Sequence, residues 1–156
     1  MDEQQYKNTY DYINPQRCVF EKAINSRVCN CSKAQRFNLA DREGVACASK
    51  NGLEHCSKYL SKLREKAVFV IRRVKVSQAL GHGQEIKIQN GGLIGLQSQL
   101  GSYTDKTVAD IHTLIYKAEG KFEGLGNFPF SELMQVIAAY KIRDRRRKQT
   151  HPKKQK

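Results

Sequence analysis

Apolar positions along this chain recur mostly at helical spacing. Val19, Phe20, Ala23, Ile24 and Val28 form a stripe at i, i+3 and i+4. Asn14-Pro15 ahead of it offers an N-cap and a first-turn proline. This pattern predicts a helix from Pro15 to about Val28, ended by Cys29-Asn30-Cys31. Ser32 with Gln35 makes a capping box for a short second helix through Phe37 and Leu39, stopping near Gly44. Ser49-Lys50-Asn51-Gly52 has turn chemistry. Leu53, Cys56, Leu60, Leu63, Ala67, Val70, Ile71 and Val74 then predict a long helix over 53–75.

The pattern is mixed after Gly81-His82-Gly83. Gln84 to Gln89 alternates as a strand would, with Ile86 and Ile88 on one side. Leu93, Leu96, Gln97 and Leu100 fit a helix that starts after Gly91-Gly92, and the helix is the preferred reading. Thr104 or Asp105 is the expected cap of the next helix, whose stripe is Val108, Ile111, His112, Ile115 and Ala118. Pro129 and Ser131 open a last helix with Leu133, Val136, Ile137 and Tyr140 on its buried face. The expected fold is all-α: a single compact bundle of five to six helices over residues 14–142. A flexible arm is expected at 1–13 and a disordered basic tail at 143–156.

The five cysteines change this picture. They fall at 18, 29, 31, 47 and 56, and none follows in the remaining hundred residues. Thiolate is the soft ligand of iron–sulfur clusters and zinc, and either takes four cysteines or three with a histidine. Cys18, Cys29, Cys31, Cys47 and Cys56 are therefore the candidate metal ligands, one of them spare, in a cysteine-rich part spanning 14–75. A cysteine-ligated centre is expected to tie the N-terminal half together. The absence of a C-x2-C knuckle favours a [4Fe–4S] type of cluster over zinc. Cys18 and Cys29 would stand about 16 Å apart on one straight helix, so either that helix breaks near Asn25-Ser26 or the two do not both ligate. The plain alternative is that the cysteines are small core residues, as the position of Cys56 on its apolar stripe allows. Cys47 as a nucleophile has no recognisable motif around it, and no paired carboxylates appear, so catalysis is the least supported reading. His82 reads as a loop residue and His112 as a core or boundary histidine.

Charge adds a partner class. The formal net charge is +13. Residues 14–75 carry 14 Lys or Arg against 5 Asp or Glu, and residues 141–156 carry 9 against 1. Such blocks suit an acidic protein partner or nucleic acid, with Arg143, Arg145, Arg146, Arg147 and Lys148 as the densest cluster. The tail has no aromatic residue to stack on bases. No apolar run spans a membrane, and the polar, acidic N-terminus lacks the regions of a signal peptide, so a cytoplasmic location is expected. The expected function is a small iron–sulfur protein of electron transfer or redox sensing. The alternative is a basic nucleic-acid-binding module with structural zinc or no metal.

Overall fold

The structure, a computed structural model, describes residues 2–71, 81–101 and 106–142. Residues 3–13, expected as an arm, form helix α1 (Glu3–Ile13). Asp2 caps it: its carboxylate accepts from the Gln5 N–H at 2.7 Å, and the Gln5 side chain reaches back to the Asp2 N–H. Tyr10 docks the helix, with only 3% of its surface exposed. Asn14 closes α1 instead of opening the next helix. Its buried amide donates to the Tyr10 hydroxyl and the Val45 carbonyl, which a solvent-facing cap would not do.

The predicted helix over 15–28 shrinks to α2 (Glu21–Asn25), and Arg17 before it bridges to Ala46. The chain turns at Ser26 and Arg27, where φ is +67°. The second predicted helix is absent: Phe37 and Leu39 lie instead on a hairpin of β1 (Ala34–Leu39) and β2 (Arg42–Cys47). The pairing is antiparallel, from Leu39 opposite Arg42 to Ala34 opposite Cys47. The Phe37 ring covers Gly44 across the ladder, where a Cβ would fall 2.4 Å from Cζ. Arg-Phe-Asn-Leu alternates at strand period, a signal that the Ser32/Gln35 box masks.

α3 (Lys50–Ala67) covers most of the expected long helix but ends at Ala67, with residues 68–71 in a turn, and is started by Ser49, whose hydroxyl accepts from the Gly52 N–H at 2.9 Å. It buries Tyr59, Leu60, Leu63 and Ala67. α4 (His82–Leu100) is helical through Gln84–Gln89 and uninterrupted across Gly91-Gly92, so its start lies eleven residues before the expected one at Leu93. α5 (Ile111–Phe122) is capped by Asp110. Thr104 and Asp105 lie outside the described residues, as do Val74 and residues 143–156. A 3-10 turn over Leu125–Asn127 leads to α6 (Phe130–Ala139).

The expectation of an all-α bundle tied by a metal centre is thus corrected. The described residues form six α-helices and a two-stranded antiparallel sheet. No three His, Cys, Asp or Glu side chains among them are grouped to hold a metal ion. Hydrogen bonds and apolar packing unite the N-terminal half instead. The Cys18 N–H donates to Val45 O at 3.0 Å and the Cys47 N–H to Gln16 O at 2.8 Å. Buried Glu21 accepts from the Val45 N–H, the Tyr10 hydroxyl and Arg17. One core of Phe20, Ile24, Val45, Tyr59, Leu63, Ile88, Leu93, Ile111, Leu133 and their neighbours joins the halves. No described helix is long and apolar enough to cross a membrane.

Candidate thiol site

Four of the five cysteines face one pocket. Cys18 lies between the Arg17 bridge and α2, Cys31 between the Cys29–Val108 bridge and β1, Cys47 at the end of β2, and Cys56 in the second turn of α3. Their pocket, about 340 Å³ including the solvent at its mouth, is completed by Phe20, Lys33, Ala34, Gly52, Leu53, Ile111 and His112. Each thiol comes from a different stretch of chain, so only the packing of the hairpin against α3 and α5 makes the cluster. Cys29 is the exception. It is 2% exposed in the core, and its thiol points to Asn90 Oδ1 at 3.8 Å. The expected helix does break at Asn25-Ser26, and Cys29 faces away from Cys18 all the same.

Burial governs the thiols. It pushes Cys18 up to about 12, with the nearby Cys31 and Cys47 sulfurs adding to the effect and the Phe20 N–H opposing it. Cys56 is raised by burial first and then by Cys18, Cys31 and Cys47. Cys31 is raised by burial, against the pull of the Lys33 and His112 backbone N–H groups. Two helix starts also line the pocket, Gly52-Leu53 of α3 and Ile111-His112 of α5, and their positive ends favour anionic sulfur. Cys47 Sγ donates to Ser49 O at 3.2 Å.

A single tetrahedral ion needs four sulfurs within about 2.3 Å of one point. The lack of any three-residue metal group among the described residues speaks against that arrangement here. Four cysteines on one pocket wall are the number of thiolates that a [4Fe–4S] cluster takes.

His112, read from the sequence as a core or boundary residue, lines this pocket and an adjoining one. The second pocket shares the wall of Gly52, Cys56 and His112 and adds Tyr116 and a His55–Glu119 pair, Nδ1 to Oε1 at 2.6 Å. No periodicity singled out Gly52, Lys33 or Glu119; they matter through contacts distant in sequence. His82 opens α4 and meets Lys22 at 2.7 Å, away from the thiols. Arg143, Arg145, Arg146, Arg147 and Lys148 lie outside the described residues. Comparison of the chain with known protein families, with curated proteins and with solved structures finds no match.

Proposed function

We propose that this chain is an iron–sulfur protein of electron transfer or redox sensing, its cluster of the [4Fe–4S] type held by Cys18, Cys31, Cys47 and Cys56. The observation that carries the reading is the meeting of these four thiols, and not Cys29, around one pocket. When bound, such a cluster supplies one-electron chemistry. The chain's own residues would hold it, aim backbone N–H groups at its cysteine sulfurs and keep water off with Phe20, Leu53 and Ile111. Cys18 and Cys31, kept protonated by burial, are poor nucleophiles. Metal would displace those protons on binding. The excess of Lys and Arg, with Lys33 at the pocket, suits an acidic protein partner, and reduced thiols suit the cytoplasm.

The test is a UV–visible spectrum with iron and sulfide analysis on anaerobically purified protein, for wild type and five Cys→Ser variants. A broad band near ~400 nm with iron and sulfide is expected, abolished or reduced by Cys18→Ser, Cys31→Ser, Cys47→Ser and Cys56→Ser but kept by Cys29→Ser. Protein without iron, or a cluster lost equally in Cys29→Ser, overturns the reading. The basic nucleic-acid-binding module would then lead, and its affinity for DNA or RNA should fall steeply with salt and on deletion of residues 143–156.

A further inference from the structure

We propose that the pocket between α3 and α5 binds one unpaired base of a single-stranded nucleic acid, stacked on Tyr116 and held at its polar edge by His55 and Asn51. The four thiols play no part in this binding, so it stands or falls apart from the cluster reading.

The two helices meet at small or polar positions here. Gly52 of α3 lies against the His112 ring of α5, where a Cβ would fall 2.8 Å from Nδ1. Further along, His55 Nδ1 meets Glu119 Oε1 at 2.6 Å. A pocket of about 380 Å³, including the solvent at its mouth, opens beside these contacts. Tyr116 lines it and is still 75% exposed, so a flat apolar face stands uncovered at the rim.

The polar groups of the pocket are mixed in kind. A carboxylate only accepts, so His55 Nδ1 carries the hydrogen it gives to Glu119, and Nε2 of the neutral ring is an acceptor. Asn51, in the first turn of α3, lines the same pocket with an amide that both donates and accepts. A ligand with a flat face for the tyrosine and a mixed donor–acceptor edge for these two side chains has the chemistry of a nucleobase. That edge is free only where the base is unpaired.

Charge selects a nucleic acid over other flat polar rings. The chain carries a formal net charge of +13. Lys50 precedes Asn51 on the α3 wall and Lys117 follows Tyr116 on the α5 wall; both are exposed and form no ion pair among the described residues. Lys58, by contrast, pairs with Glu54 at 3.5 Å. Phosphates on either side of a seated base would meet the two unpaired lysines. Among the described residues no Lys or Arg lines the pocket itself, which suits a strand with its phosphates outside and not a free nucleotide. Tyr116 also supplies the stacking platform that the basic tail, with no aromatic residue, lacks.

The test is fluorescence anisotropy of a labelled single-stranded oligonucleotide of mixed sequence with the full chain. Wild type should bind it, and Tyr116→Ala should weaken binding by roughly 5- to 150-fold, the worth of one base–aromatic stack. Tyr116→Phe, which keeps the ring, should bind as wild type does. Lys7→Ala, which removes a charge from α1, should cost less than Tyr116→Ala, which removes none. Tyr116 is exposed, so circular dichroism of its variants should match wild type. No binding, or equal affinity of Tyr116→Ala and wild type, overturns the proposal. So does a loss in Tyr116→Phe as large as in Tyr116→Ala, or tighter binding of the same sequence as a duplex. A free nucleoside monophosphate that displaces the strand at the strand's own concentration overturns it in favour of a small-molecule site.

Discussion

Three glycines on α4 show what one absent methyl can decide. Gly91 packs against the backbone of Ile137, where a Cβ would lie 2.8 Å from Cα. Gly92 meets Leu63 at 2.5 Å and Gly95 meets Leu133 at 3.1 Å by the same measure. Backbone cannot swing aside as a leucine tip can, so Gly91→Ala should destabilise the most, by about 1–3 kcal/mol or more. Gly120, exposed on α5 with no atom within 4 Å of its would-be Cβ, is the control. Gly120→Ala should stabilise by roughly 0.5–1 kcal/mol. Urea denaturation of both variants checks the pair. Burial of Cys29, pushed up to about 12, gives a second expectation. An unfolded thiol ionises near pH ~8.5, so the folded chain keeps a proton that the unfolded chain has lost. Stability of the metal-free protein is then fully present below that pH and falls as pH rises through about 12. Cys29→Ala should flatten part of that decline, measured by denaturation at a series of pH values.

At the scale of elements, the hairpin is where local preference and observed structure disagree most. Its two-residue loop is Ala40-Asp41, with φ of +49° and +67°. A loop with both residues in the left-handed region prefers Asn-Gly, because a Cβ is strained there. Ala40→Asn with Asp41→Gly should therefore stabilise the protein by about 1 kcal/mol, visible as a higher thermal midpoint. Capping works in the usual direction elsewhere. Asp110 bonds Ser32 and Thr113, which bring its carboxyl down to about 2 against the cost of burial. Its contribution is present above the ordinary carboxylate range and is lost as pH falls toward about 2. Asp110→Ala should cost about 1–2 kcal/mol at neutral pH and less at pH 2, again read by denaturation.

For the whole molecule, the question is what holds the thiol pocket in shape. The hairpin, α3 and α5 meet there, and all are anchored in one apolar core that does not use the four pocket sulfurs as its centre. Glu21, Glu85 and Gln89 add buried hydrogen bonds across α1, α2, α3 and α4. The metal-free chain should therefore remain folded, with helical circular dichroism and a single cooperative unfolding transition. A chain that unfolds on chelation would show that the centre, and not the core, holds the N-terminal half. The core is also why Cys29 can be replaced without touching the pocket, whereas Glu21→Ala should cost several kcal/mol by leaving the Tyr10 hydroxyl and the Val45 N–H buried without an acceptor.

The sequence by itself determined the helices whose apolar stripes are local: α3, α5 and α6 follow from period, although α5 takes Asp110 as its cap and not Thr104 or Asp105, because side chains three and four apart share a face wherever the helix lies. It also confined the chemistry to Cys18–Cys56, since composition needs no fold. Tertiary structure alone decided the rest. Asn14 ends a helix because its amide finds Val45, 31 residues away. The strands replaced a helix because Val45 and Phe37 had a core and a partner strand to cover. α4 ran through its glycines because Ile137 and Leu63 needed that space. Which cysteine is spare could not be read from spacing: that depended on which way each short stretch turned, and the turns are set by hydrogen bonds to Val45, Gln16 and Val108, all distant along the chain.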